Sequence, residues 1–568
     1  MNEDFRKNAP APLLPRPFSI DSPFETTLAN GLKVVVFEQR RLPLISFRLA
    51  FRRGEINDPK DSIGLTSATT HLLSQGTATR SSKEIAEAVE RLGASLSASS
   101  SADNTVVSAS ALTLYRADVL QLMAEMILAP TFPENEIALY KQNTIENLKF
   151  QRSQPGFLAD EQMSRVLYGA HPYSIVAPNE ADIEKLSRER LVNHHKRSFV
   201  PNDATLIVVG DVETDALVSE LETLFGAWEK GSVEDSEFDA LPERTEKTLT
   251  VVDRKGSAQS NIVLSNLAIK RNHPDYFPLL VMNQILGAGA SSRLFMNLRE
   301  EKGYTYGAYS SLDARRLAGA FEATAEVRTT VTGDSLKEFF YELNRIRDEA
   351  VSKEELQDAK NFLTGVFPIR AETQEGLTNL IVQQQLYDLP ADYLQTYRDN
   401  VNAVSSEEIQ RVANQYITPD KIAIVIVGDA EEVLPQAESY AEKIEIFDTN
   451  NNMQDISNYG KPAEAPTVNV TGNWNLVLEA MGQQIPVTLT LAQTDGTVSG
   501  SMQSMFGTGE IAGGKVSGNK ISATAQIEVQ GQSLELSIDG AVEDSRMEGS
   551  ITAPMIPTPV SFSGTKGE

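Results

Sequence analysis

The chain has 568 residues, too many for one hydrophobic core, so two to four domains are expected. Its 41% apolar content and mean hydropathy of -0.25 are those of an ordinary globular protein, and a net charge of -27 excludes a nucleic-acid partner, because no basic patch offsets phosphate repulsion. The absence of cysteine excludes disulfides and thiolate metal sites, and the longest apolar runs, such as IAIVIVG at 422–428, fall far short of the roughly 18 residues of a membrane-spanning helix.

Residues 1–19 are a Pro/Ala-rich leader without the basic and apolar regions of a signal peptide. A periplasmic or secreted protein, its signal lying outside this numbering, is the expectation; a cytoplasmic one is the alternative. Residues 20–230 mix strands (GLKVVVFEQ, LISFRLAF) with long helices. The first helical stretch, GLTSATTHLLSQGT at 64–77, places Ser67, Thr70 and His71 on one face by their i, i+3, i+4 spacing. LGASLSASSSADNTVVSASAL at 92–112 alternates as small-residue strands around Asn104, Thr105 and Val106. YRADVLQLMAEMILAPTFPENEIALYKQNTIENL (115–148) is a helix, a break and an acidic helix start, and FVPNDATLIVVGDVE (199–213) is a Pro turn leading into an apolar strand.

After an acidic, weakly periodic linker at 231–247, the same plan returns in residues 248–446. DSLKEFFYELNRIRDEAVSKEELQDAKNFLTG (334–365) and YITPDKIAIVIVGDAE (416–431) match the earlier helix pair and strand in order. Two tandem homologous halves follow, each of α+β class with a mainly antiparallel sheet and helices packed on it. A second linker, 447–466, is rich in Asn, Asp, Gly and Pro. From 467 to 568, alternating runs broken by DG, GG and GN turns predict a small all-β barrel or meander, whose plain reading is a docking or surface-binding module.

With Ser67 and Thr70 replaced by His and Glu, the 64–77 stretch would read H-x-x-E-H. Its frame, Gly64-Leu65, Leu72-Leu73 and Gly76-Thr77, resembles the pitrilysin/insulinase family of zinc metallopeptidases (inverzincins). That family's third ligand, a helical Glu, aligns with Asn147, beside Glu146. The resemblance thus implies a degenerate metal site at Ser67, Thr70, His71 and Asn147, binding no metal: a hydroxyl and an amide are poor zinc donors, and Thr70 cannot act as the base. His71 then reads as a partly buried remnant. His194 and His195, adjacent on a helix, diverge by about 100° and cannot share an ion; His171 and His273, each before a proline, read as solvated loop positions.

SSRLFMNLREEKGYTYGAYSS (291–311) resembles the family's carboxy-terminal motif, in which an Arg and a Tyr, here Arg299 and Tyr306, bind substrate backbone and steady an oxyanion. The plainer reading pairs Arg299 with Glu300 or Glu301 and buries Tyr306 in a strand. Gly287-Ala-Gly-Ala-Ser-Ser lacks the P-loop lysine and reads as a tight turn. For 92–112 the resemblance implies an edge strand that pairs with extended substrate, and a polar-blunted sheet edge is the other reading. Loss of the ligands with retention of Arg299 and Tyr306 implies the zinc-less subunit of a heterodimeric endopeptidase, with zinc on a homologous partner carrying an intact H-x-x-E-H. An inactive scaffold or peptide-binding protein is the alternative, and a homodimer is open to the chain alone.

Overall fold

Alternation along the strands decides which element covers which sheet face. The computed structural model describes residues 18–233, 236–459, 468–480, 483–494, 496–505, 507–529, 532–553 and 559–567. Residues 1–17 of the expected leader and 460–466 of the expected second linker lie outside them. Six strands, β1 (Phe24–Thr27), β2 (Lys33–Glu38), β3 (Leu44–Phe51), β4 (Ser95–Ser100), β5 (Thr105–Leu112) and β6 (Ala204–Gly210), pair in the order β1-β2-β6-β3-β5-β4. Every neighbour is antiparallel except β2 against β6.

The second half repeats the arrangement with β7 (Thr248–Asp253), β8 (Gln259–Leu267), β9 (Thr305–Ala314), β10 (Gly319–Arg328), β11 (Ala423–Gly428), β12 (Lys443–Asp448) and β13 (Met453–Gln454). Their order is β13-β12-β7-β11-β8-β10-β9, so β4 and β9 are corresponding edges. Pairing through β12 and β13 carries this sheet past residue 446 into the polar run that the sequence marks as linker. The acidic helix starts are both realised. Helix Glu134–Arg152 follows Pro133, and helix Lys353–Glu372 is capped by Ser352, whose hydroxyl accepts the Glu355 N–H while Glu355 reaches back.

Each half lends helices to the other's sheet. Val34, Phe47, Leu49, Val107 and Val208 face their own helices, whereas Val35, Ala50, Ile207 and Val209 pack against Phe367, Leu377 and Ile381 from the second half. Reciprocally, Val252, Val263, Ala320 and Val425 receive Leu158, Met163 and Leu167 of helix Pro155–Tyr168 from the first half. Strands covered on both faces need no polar alternation, which is why β6 and β11 read as continuous apolar runs. Each fully buried Val or Ile there contributes about 1.5–3 kcal/mol relative to exposure.

Residues 472–566 form a closed antiparallel barrel of eight strands, β14 (Gly472–Ala480), β15 (Gln483–Thr494), β16 (Thr497–Ser504), β17 (Gly507–Ser517), β18 (Lys520–Val529), β19 (Gln532–Glu543), β20 (Arg546–Thr552) and β21 (Val560–Lys566). The α+β halves and the appended all-β domain are thus as the sequence predicts. Buried Trp474 fills the barrel, its indole N–H donating to the Val470 carbonyl (2.8 Å). Among the described residues the barrel core draws on positions 468–562 alone, and ion pairs link it to the second half: Arg254–Glu535 at 3.5 Å, Lys255–Asp539 at 3.1 Å, and Lys515–Glu432. Partly exposed pairs are worth about 0–1 kcal/mol each. A chain ending at Tyr459 is therefore expected to keep both halves folded, with their melting transition within about 3 °C of the full chain's. Loss of that transition by calorimetry would show that the halves depend on the barrel.

Candidate functional site

Two places carry the sequence motifs. The first is the cleft between helices Leu65–Leu72 and Glu134–Arg152. Ser67 and Asn147 both line a cavity of about 210 Å³ there, together with Glu55, Asp58, Tyr140 and Thr144. The aligned ligand positions therefore converge in space, although they lie far apart in sequence. Tyr140 stands between them. Its phenol hydrogen-bonds Ser67 and Thr144, burial raises its pKa, and its ring centroid lies 5.1 Å from that of His71.

His71 lies at the helix surface with its ring beside that of Tyr140, and partial desolvation lowers its pKa. Thr70 is turned inward, 1% exposed, and its hydroxyl has no protein partner. Asp58 accepts the Gly64 and Thr66 backbone N–H groups (2.8 and 2.9 Å) and so caps the helix; burial pushes its pKa up to about 7. Among the described residues no group of three or more His, Asp or Glu side chains could hold a metal. A hydroxyl committed to Tyr140, an amide and one outward imidazole do not fit a zinc ion, which needs three good donors and an adjacent base.

The other histidines are structural. His194 is buried and His195 half-buried: His194 Nε2 lies 3.1 Å from Thr66 Oγ1 and His195 Nε2 2.8 Å from the Ile127 carbonyl, and desolvation lowers both to about 4. His171 corrects the expectation of a solvated loop. It is 3% exposed, its Nδ1 accepts the Tyr173 N–H (3.1 Å), and its ring packs on Tyr173 and Phe238. An X-Pro turn at a junction of two halves is not at the surface. His273 is half-buried and its Nδ1 accepts the Asp275 N–H.

Asn104, Thr105 and Val106 do not form the edge at which a peptide could add. Asn104 closes the hairpin, its carbonyl accepting the Ser101 N–H (2.8 Å); Thr105 and Val106 are in β5, paired with β3 on one side and β4 on the other. The bare edge is β4, residues 95–100, one strand further out. Sequence alternation cannot say which of two adjacent strands is outermost.

The second place is the edge of the other sheet. Arg299 lies in a π-helical turn, Met296–Glu301, marked by the Lys302 N–H bonding the Asn297 carbonyl (3.0 Å). Such turns are rare and concentrate at functional sites. The Arg299 side chain is 44% exposed, and its guanidinium meets Glu300 at 2.9 Å and lies 4.8 Å from the ring centroid of Phe295. The Glu300 pairing is therefore present, as the plainer reading of Arg299 requires. Tyr306, by contrast, is not a core residue: it is 91% exposed on the outermost strand, β9.

A β-bulge causes that exposure. Ala308 pairs with Ala325 and Thr305 with Val327, so Tyr306 and Gly307 together oppose the single residue Glu326. Bulges re-aim a side chain where regular pairing would turn it inward. The Tyr309 ring folds over Gly307; a Cβ there would meet that ring at 2.6 Å and displace it. Phe295 and Tyr309, whose centroids are 5.7 Å apart, complete an aromatic shelf beside Arg299. The sequence reading missed these two, although a glycine inside a strand pattern signals a bulge or a close approach. Gly287 is the tight-turn residue expected of it: its carbonyl accepts the Ser310 N–H (2.9 Å), and a Cβ would meet that nitrogen at 2.3 Å.

The comparisons with known proteins cover both halves. Residues 34–176 match the family described as Insulinase (Peptidase family M16), and residues 185–363 match the Peptidase M16 inactive domain. An uncharacterized zinc protease YmxG of Bacillus subtilis is 25% identical over 403 residues, 69% of this chain and 95% of that one. A non-peptidase homolog YmxG of Helicobacter pylori is 23% identical over 408 residues, 71% of this chain and 94% of its own. Among solved structures, a peptidase M16 inactive domain from Pseudomonas fluorescens superposes with a TM-score of 0.68 at 26% identity, over 72% of this chain and 98% of that one.

Proposed function

Since the chain belongs to the insulinase (M16) peptidase family, with both the amino-terminal and the inactive-type carboxy-terminal domain, we propose that it is the zinc-less subunit of a two-chain metalloendopeptidase. Its task is to present Arg299 and Tyr306 to a peptide held at the zinc site of a homologous partner subunit. One observation carries this reading: Tyr306, 91% exposed on a bulge of an edge strand, is held away from its own core. A tyrosine with no role would gain about 1.5–3 kcal/mol by burying its ring.

The chemistry is electrostatic. A guanidinium and a phenol are fixed donors aimed at the oxygen of a peptide carbonyl as it gains negative charge, and each such donor is worth about 2.7–4 kcal/mol in the transition state. The attacking water and its base belong to the partner, because Ser67, Thr70, His71 and Asn147 supply neither. Unfolded segments or short peptides fit as substrates, since an extended chain is what two facing sheet edges can hold.

Purifying the chain alone and with a chain carrying intact H-x-x-E-H, then assaying peptide cleavage, tests the reading. The expected result is activity of the pair and none of the chain alone. Cleavage by the chain without metal or partner would overturn it. A periplasmic or secreted location belongs to the same reading, and fractionation of cells tests it. One relative named a non-peptidase homolog supports a second reading, an inactive scaffold or peptide-binding protein. Under that reading the pair forms but cleaves nothing, or no pair forms and the chain binds peptide or assembles with itself.

A further inference from the structure

We propose that Thr305 is the positioning residue for Tyr306, and Asn297 the corresponding one for Arg299; this rests on the reading above and adds residues to which neither the motif nor the comparisons give a role. Regular pairing would defeat the site. Were the bulge to move one residue towards the start of β9, Gly307 would oppose Glu326 and Tyr306 would oppose Val327, which is fully buried. A slip of one residue turns a strand side chain to the opposite face. Tyr306 would then point at the helix-covered side of the sheet instead of at solvent.

The Thr305 hydroxyl holds the bulge where it is. Its Oγ1 donates to the Glu326 carbonyl (2.6 Å), with the Gly307 carbonyl 2.9 Å away, and accepts the Gly307 N–H (3.1 Å). A two-against-one bulge disrupts the ladder locally, and these groups flank it. The hydroxyl thus satisfies the bulge on both sides of Tyr306, and nothing in an ordinary edge strand would call for it.

Asn297 serves the π-helical turn in the same way. It is 6% exposed, and its Nδ2 donates to Glu338 Oε2 (3.0 Å) and Glu342 Oε1 (2.9 Å) on helix Thr332–Asp348. Two carboxylates gripping one amide fix the turn in register, and two residues later Arg299 emerges at the surface. Both donors therefore stand on irregular backbone, each locked by a polar side chain that itself touches no substrate.

The test uses the full chain with three substitutions: Thr305→Val, which keeps shape and loses the hydroxyl, Thr305→Ser, which restores it, and Asn297→Ala. In a crystal structure of Thr305→Val the bulge is expected to migrate and Tyr306 to turn inward; an unmoved bulge with Tyr306 exposed overturns the proposal without any partner being needed. In the reconstituted pair, Thr305→Val and Asn297→Ala are expected to lower kcat about tenfold or more with KM within about twofold, and Thr305→Ser to restore it, since a misaimed oxyanion donor costs the transition state and not substrate binding. A merely structural role would lower the melting temperature and leave that split unmoved. If Tyr306→Phe impairs the pair and Thr305→Val does not, the positioning role falls and the subunit reading stands. If Tyr306→Phe is itself silent, both fall.

Discussion

In the reconstituted pair, Arg299→Ala is expected to lower kcat by about 10²–10³-fold, with Tyr306→Phe within a factor of about ten of it, while KM changes little. The size follows from where each side chain acts. A donor pre-aimed at charge that develops only in the transition state is worth about 2.7–4 kcal/mol, far more than the same contact to a ground-state carbonyl. Its loss therefore appears in kcat. Stability gives no competing explanation. Arg299 is 44% exposed and pairs with half-exposed Glu300, and Tyr306 stands almost wholly in solvent, so truncating either moves folding stability by no more than about 0.5 kcal/mol. Melting curves superimposable on those of the unsubstituted chain, alongside the activity loss, complete the expected result. Full activity of Arg299→Ala in a pair that cleaves peptide would place the oxyanion donors on the partner and remove the reason for this subunit's motif.

The sequence carries the architecture in its periodicities and the site in its spacings, but not the irregular backbone between them. The repeat of two halves is legible because β6 and β11, with the helices Glu134–Arg152 and Lys353–Glu372, sit at equivalent places and face equivalent burial. The convergence of Ser67 and Asn147 on one cavity is legible because helical spacing aims one and a motif frame aligns the other. Other features escape for stated reasons. Edge and interior strands share one alternation, so β4 and β5 cannot be ranked by pattern, and Thr105 and Val106 fall on the inner one. His171 looks like a loop residue until the rings of Tyr173 and Phe238 close over it, the second of them some distance off in the chain. The bulge at Tyr306 is spanned by the polar contacts of one hydroxyl, which donates to the Glu326 carbonyl and accepts the Gly307 N–H, and no periodicity records them. Exchange of helices between the halves is likewise invisible, because a strand buried by its own helix and one buried by a neighbour's read the same.

That exchange has a cost at one residue, Glu322, and pH should expose it. Glu322 lies on β10, on the face that also carries Ala320 and that receives helix Pro155–Tyr168 of the first half. Burial between the halves is the main cause that pushes its pKa up, to about 7, and the carboxylates of Asp160 on that helix and Asp313 on β9 push the same way; Arg315 alone opposes them. The protonated form is therefore the one the folded chain prefers. Below about pH 4.5 the group is neutral in both folded and unfolded states and contributes nothing. As pH rises from there towards 7 the unfolded state ionises first, so stability falls across that window and stays reduced above it. The ceiling on the loss is about 3 kcal/mol from the pKa difference, and solvent reaching half-exposed Asp160 brings the expected value to about 1–3 kcal/mol. Glu322→Gln keeps the shape and removes the ionisation. It should stabilise the chain by that amount at pH 8 and by almost nothing at pH 4.5, measured by urea unfolding at both. Equal effects at the two pH values would mean that the carboxylate is already ionised at pH 4.5, through a contact with Arg315 stronger than burial. The junction of the two halves would then gain nothing from acid.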